Sequence, residues 1–101
     1  MGYDIMSFRN NIGICISLCE QELQNRKKGI KGESSIEQIE DTILPELNQL
    51  LKKIDYGQLP PKPERYLLSF ANAFKVWGWN MQQPTELFVQ LVKLDDAYKK
   101  I

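Results

Sequence analysis

R-Y-L-L-S-F-A-N-A-F-K-V-W-G-W-N-M, residues 65–81, is the stretch whose reading decides the fold. Five of the chain's ten aromatics sit in it: Tyr66, Phe70, Phe74, Trp77 and Trp79. Leu67, Phe70, Ala71, Phe74 and Trp77 recur at the spacing of one helix face. Each aromatic ring can bury on the order of 150–250 Å², so this segment offers more apolar area than its neighbours. Ala71 and Ala73 would let another helix come close. The pattern predicts a helix over residues 63–77, buried at the centre of a small bundle and ended by Gly78.

Outward from that helix, proline and glycine divide the rest. Leu59-Pro60-Pro61-Lys62-Pro63 reads as a rigid connector, with Pro63 as the first residue of the next helix. Its P-x-x-P spacing also fits an SH3-type ligand, but helix punctuation is the preferred account. Upstream, Ser34 and Glu37 fit a capping box. Ile36, Ile39, Ile43, Leu47, Leu50, Leu51 and Ile54 then keep helical spacing as far as Gly57. Pro45 lies inside that pattern and must kink or split the helix. A kinked, continuous helix is favoured, because the apolar stripe runs on past the proline.

The first helix is expected from Asp4 or Ser7 to Lys27, with Phe8, Ile12, Cys15, Ile16, Cys19 and Leu23 on its core face. Ile14 and Leu18 fall outside that face, so this helix is either sandwiched between neighbours, the preferred reading, or offers a surface to a second molecule. Gly13 is read as a mark of close helix crossing. The last helix opens at Pro84, and Leu87, Leu91, Leu94, Tyr98 and Ile101 step by four and three, with Phe88 and Val92 in support. The predicted fold is all-α: one domain over residues 1–101, a small antiparallel four-helix bundle with helix 2 kinked or split at Pro45.

Composition narrows the function. Thirteen basic and thirteen acidic residues cancel, which argues against a binder held mainly by phosphate contacts. Zero net charge also does little to keep copies apart, so self-association is admitted. The start of the chain lacks the basic region of a secretion signal, and Ser7 comes one place late for a myristoylation motif on Gly2. The apolar run over residues 12–18 is too short to span a bilayer. A cytoplasmic protein that does not enter membranes is expected. Cys15 and Cys19 are read as small buried hydrophobes rather than a disulfide.

The chain has no histidine. Histidine-based triads, general bases and Glu-x-x-His metal sites are therefore ruled out, and two cysteines alone cannot make a standard zinc site. Neither phosphate-cradling glycine motif occurs. Glu37, Glu40 and Asp41 could hold a hard cation, but the sequence provides no facing acids. No enzyme activity, cofactor or metal is expected.

What remains is surface. Residues 32–51 carry five acids, Glu33, Glu37, Glu40, Asp41 and Glu46, and no base. At helical spacing, Glu37, Glu40 and Asp41 share one face. A solvated first turn explains them, and so does docking to a basic partner. Trp79 lies beyond Gly78, either as a lid on the bundle end or as a protruding ring, with Met81 as an adaptable neighbour. These five residues, Glu37, Glu40, Asp41, Trp79 and Met81, are the candidate partner-binding site. The expectation is a non-catalytic protein-binding module (a small bacterial inhibitor, immunity-type protein or adaptor) whose partner is another protein with a basic or apolar patch. One alternative is a nucleic-acid-associated regulator using Arg26, Lys27, Lys28 and Lys31, although the negative end of the helix dipole accounts for that cluster. The other is a bundle that holds an apolar small molecule among Phe70, Phe74 and Trp77.

Overall fold

Asp4 starts the first helix by accepting the Ser7 amide on its side chain at 2.7 Å, which satisfies a donor that the first turn leaves open. In the computed structural model, which describes residues 4–101, helix α1 then runs over Ile5–Lys27. Gly2, weighed above for myristoylation, lies outside the described residues. Phe8, Ile12, Cys15 and Cys19 are fully buried on one side of α1.

The second helix begins one residue later than the sequence suggests. Ser35 Oγ accepts the Gln38 amide at 3.1 Å and Gln38 Oε1 accepts the Ser35 amide at 3.0 Å. The capping box is therefore Ser35–Gln38 rather than Ser34–Glu37. Ser34 is buried instead, and its carbonyl accepts from Arg26 Nε at 2.7 Å.

Pro45 neither splits the helix nor stands alone as its irregularity. The segment Gln38–Ile43 is wound in π register and passes directly into α2, Leu44–Asp55. Within it the Leu44 amide reaches Ile39, five residues back. The wider turn accommodates a proline that has no amide to give and whose ring crowds the preceding turn. At the far end, Gly57 and Gln58 return amides to Ile54 and Lys53 at 3.1 and 2.7 Å, closing the helix as expected.

The aromatic stretch departs most from expectation. Helix α3 covers only Leu68–Lys75. A short 3₁₀ turn occupies Lys62–Glu64, and the backbone at Arg65 and Leu67 is extended. Arg65 holds that extension, with Nε donating to the Pro60 carbonyl at 2.8 Å and Nη1 donating to the Ile101 carbonyl. The buried positions of α3 are Ser69 and Ala73, with Leu67 just before it, whereas Tyr66 and Phe74 are 58% and 48% exposed. The helix thus seats its small residues against the bundle and leaves much of its aromatic area outside.

The centre belongs to α4, Glu86–Tyr98. Leu87, Phe88, Leu91, Leu94, Ala97 and Tyr98 are buried, which bears out the four-three seam as far as Tyr98, whereas Ile101 is half-buried and Val92 is exposed. Thr85 caps its start by accepting the Phe88 amide at 3.2 Å.

Contacts at the helix ends fix the directions. Arg9 pairs with Asp55 at 2.9 Å and Lys27 with Glu40 at 3.7 Å, so α1 and α2 are antiparallel. Phe8 stacks on Tyr98 at 5.5 Å, which sets α4 antiparallel to α1. Phe70 meets Phe88 at 6.2 Å while Leu67 bonds Asp95, so α3 and α4 are antiparallel as well. The fold is a small antiparallel four-helix bundle with no strand among the described residues. No helix among them is long and apolar enough to cross a membrane.

Candidate functional site

Up-and-down connectivity brings the α1–α2 loop and the α3–α4 turn to the same end of the bundle. Glu33 joins them there, its carboxylate accepting the Asn80 amide at 2.9 Å. That bond ties the loop ahead of the acids to the turn that carries Trp79 and Met81. Glu37, Glu40 and Asp41 are exposed on the first turns of the second helix, one turn beyond Glu33. Met81 is next to Asn80. The π register from Gln38 to Ile43 loosens the shared face that ordinary helical spacing gave the three acids. Glu40 is also partly engaged, by Lys27.

The α3–α4 turn is a built structure. Gly78 adopts φ of +67°, the left-handed conformation that reverses a chain at least cost with glycine. The reversal lets the Trp79 amide donate to the Ala73 carbonyl at 3.0 Å and folds the Trp79 ring back under the helix. That ring lies edge-on to Phe88 at 5.5 Å and against Trp77 at 5.5 Å. At 4% exposure, Trp79 is the lid of the bundle end and not a protruding ring. Its contribution to any surface is to support what lies above it. Beyond it, Asn80 Oδ1 accepts the amides of Gln82 and Gln83 at 2.8 and 3.1 Å. This side-chain turn leaves Met81 at 51% exposure.

Beside Met81 is an apolar hollow of about 210 Å³, lined by Met81, Pro84, Phe88, Val89, Val92 and Lys93. It is smaller than the several hundred cubic ångströms of a typical drug-sized ligand site. Its volume is enough for one large side chain, with Lys93 as the single charge at its edge. The sequence marks Pro84 only as a helix start, and Val89 and Lys93 carry no signal of their own. Pro84, Phe88 and Val92 step by four residues, a second apolar row beside the buried seam that could have signalled the hollow.

The basic cluster does not form one open surface. Arg26 is committed to the loop: Nε donates to Ser34, Nη1 donates to the Ile30 carbonyl at 3.0 Å, and Nη2 pairs with Glu22. Lys27 faces Glu40, while Lys28 and Lys31 are exposed. The rings proposed to line a ligand pocket are largely taken up by one another. Phe70 contacts Phe74 and Phe88, Trp77 contacts Trp79, and half of Phe74 faces solvent.

A second opening, about 550 Å³, lies between α2, the proline connector and the start of α3, with Gln49, Lys53, Tyr66 and Leu68 on its walls. Glu46 on the same wall already spends both carboxylate oxygens on the Leu68 and Ser69 amides, at 2.6 and 2.8 Å. Cys15 and Cys19 are free and buried, and burial pushes both thiols up to about 12, so neither is a thiolate near neutral pH. Among the described residues, no group of three or more His, Cys, Asp or Glu is placed to hold a metal ion. Comparison with protein-family models, with curated proteins and with solved structures finds no match to this chain.

Proposed function

We propose that this chain is a non-catalytic protein-binding module, in the manner of a small inhibitor or adaptor, and that its partner docks on the bundle end where the α1–α2 loop meets the α3–α4 turn. The Met81 hollow supports this reading. It is an apolar depression sized for one anchoring side chain, formed by Met81 and Pro84 of the turn with Phe88, Val89, Val92 and Lys93 of α4, and the turn is braced by Trp79 and by Glu33. Binding energy at protein interfaces concentrates where such an anchor enters a fitted depression. The exposed acids Glu37, Glu40 and Asp41 on the adjoining turns supply the charge that would steer a partner carrying basic groups around an apolar anchor.

The test is capture of partners from host extract by wild type beside three surface variants: Met81→Asp, Val92→Asp, and Glu37→Lys with Asp41→Lys. A partner retained by wild type, lost with Met81→Asp and Val92→Asp, and weakened in a salt-dependent way by the double lysine variant fits the reading. A partner held equally by all four proteins removes it. A gel shift with nucleic acid at low salt addresses the alternative based on Lys28 and Lys31; retention that fades as salt rises would favour it.

A further inference from the structure

The opening between α2, the proline connector and the start of α3 has the build of a small-molecule site. Its volume of about 550 Å³ falls within the range of such sites. Three of the residues that line it are buried and make its floor: Leu50, Leu67 and Tyr98, at 4%, 1% and 4% exposure. Gln49, Lys53, Glu64 and Tyr66 are exposed and make its rim. The groove on the outer face of α1 has no such floor. There Ile14 is 45% exposed and a Cβ built on Gly13 would meet nothing within 4 Å, so Gly13 marks no helix crossing and no neighbour covers that side of α1.

The walls of the larger opening are fixed by contacts within the fold. Glu46 holds the start of α3 through the Leu68 and Ser69 amides. Arg65 clasps the connector, at Pro60, to the end of the chain beyond α4, at Ile101. Tyr98 is held by its stack on Phe8, yet among the described residues no hydrogen bond takes up its hydroxyl. Burial keeps that hydroxyl protonated past the ordinary tyrosine range, against the Arg65 charge and with the Glu46 charge. It is therefore a donor near neutral pH, and the one side-chain polar group on an otherwise aliphatic floor. A ligand oxygen that accepts from it satisfies a donor that the fold leaves open.

Charge and shape narrow the ligand. Lys53 and Glu64 give the rim opposite signs, and Glu46 is engaged by the α3 amides, so an ion of either sign meets a like charge. The Tyr66 ring, with the Pro60 and Pro63 rings, offers apolar faces that suit an aromatic ring. We propose that this cavity binds a neutral aromatic small molecule whose carbonyl or hydroxyl oxygen accepts from the Tyr98 hydroxyl. The site lies where α4 ends, whereas the Met81 hollow lies where α4 begins, so the proposal stands apart from the partner-docking reading.

The test is an amide-resolved NMR titration of the full chain with para-hydroxybenzamide. It runs to about 10 mM, tenfold above the dissociation constant of about 1 mM expected for a ligand of this size. Shifts should gather at Gln49, Lys53, Tyr66 and Leu68 and not at Met81 or Val92. Tyr98→Phe keeps the ring, removes the hydroxyl and should weaken binding about three- to tenfold. Tyr66→Ala removes the exposed ring face and should weaken it about threefold or more. The charged relatives para-hydroxybenzoate and para-hydroxybenzylamine should each bind at least about threefold more weakly than the neutral probe. No binding by wild type, shifts centred elsewhere, full affinity in folded Tyr98→Phe or in Tyr66→Ala, or a charged relative that binds more tightly would each overturn the proposal. Circular dichroism checks the fold of both variants, and Tyr66→Ala and the charged probes decide the matter if Tyr98→Phe does not fold.

Discussion

Asp95 Oδ1 accepts the backbone amide of Leu67 at 2.8 Å, across 28 residues of chain and inside the packed α3–α4 contact. The residue before α3 is Leu67, which has no side chain able to cap a helix. Asp95 and Glu46, from two other helices, supply acceptors for three consecutive amides at its start. Two carboxylates at one helix N-terminus also match its positive end. Lys99 holds the second oxygen of Asp95 at 3.0 Å and offsets some of the cost of burying that charge.

Removing the buried acceptor should therefore cost more than its size suggests. Asp95→Ala leaves the Leu67 amide without a partner, and the expected loss is about 2–3 kcal/mol in urea unfolding. Asp95→Asn keeps an acceptor of the same shape and should lose roughly half as much. Glu46→Ala opens amides that water can reach, so about 1 kcal/mol is expected. In hydrogen exchange that loss should appear as faster exchange in α3, with α1 and α4 unchanged. Equal losses for Asp95→Ala and Glu46→Ala would contradict this division between buried and wet caps.

Arg26 ties the α1–α2 loop together because nothing stands between it and Gly32. A Cβ on Gly32 would fall 1.7 Å from the Arg26 guanidinium. Gly32→Ala should drive that side chain away from the Ser34 carbonyl and from Glu22. Charge-assisted bonds of this kind are worth about 1.5–3 kcal/mol each, and partial exposure reduces the net effect to about 1–2 kcal/mol. Arg26→Ala should cost a similar amount. The double variant should cost little more than either change alone, since both remove the same bonds. Additive losses would show that the glycine matters for some other reason.

Where the sequence could be read, helix number, order and seams came from spacing and punctuation. The α4 face from Leu87 to Tyr98 and the α1 face from Phe8 to Cys19 are buried as their periodicity predicts. The aromatic stretch misleads because large apolar area does not decide which residues a helix seats inward. Close approach of α3 to the bundle favours Ser69 and Ala73 at the contact, and the ends of that helix are set by Arg65, Glu46 and Asp95 from outside it. Such long-range caps leave no local pattern. The same holds at the candidate site: Met81 and the acids are visible as residue types, but the Glu33–Asn80 bond that ties their two segments spans 47 positions.

Trp79 permits a sharper test of the lid. Its ring is buried against Phe88 and Trp77, yet its Nε1 finds no hydrogen-bond acceptor. Trp79→Ala should cost about 3–5 kcal/mol, as loss of a large core ring does. Trp79→Phe keeps the edge contact and removes a buried, unpaired donor, whose desolvation costs about 1–3 kcal/mol. Those gains offset the lost volume, so the net change expected in thermal or urea unfolding is within about 1 kcal/mol. A Phe variant as unstable as the Ala variant would mean that the indole nitrogen has a partner after all.

The two buried thiols give the fold a defined alkaline limit. An ordinary thiol ionises near 9.0, but burial holds Cys15 and Cys19 protonated up to about 12. Because the folded values are raised, the contribution is complete below pH 9 and is lost progressively as pH rises toward 12. In that window the unfolded chain releases two protons that the native state keeps. Each proton lowers stability by about 1.4 kcal/mol per pH unit, so the pair gives a slope of about 2–3 kcal/mol per unit. Tyr98, raised by its own burial, adds to the fall above the ordinary tyrosine range. Cys15→Ala/Cys19→Ala should be less stable at neutral pH, because two small cavities remain, but flatter between pH 9 and 12. Urea unfolding at half-unit pH steps reads the slope directly. In the native protein both thiols should also resist a thiol reagent at pH 8 and react together once urea unfolds the chain. An equal slope in the double alanine variant, or prompt reaction of either thiol in the folded state, would show that the interior of α1 is not as dry as this packing requires.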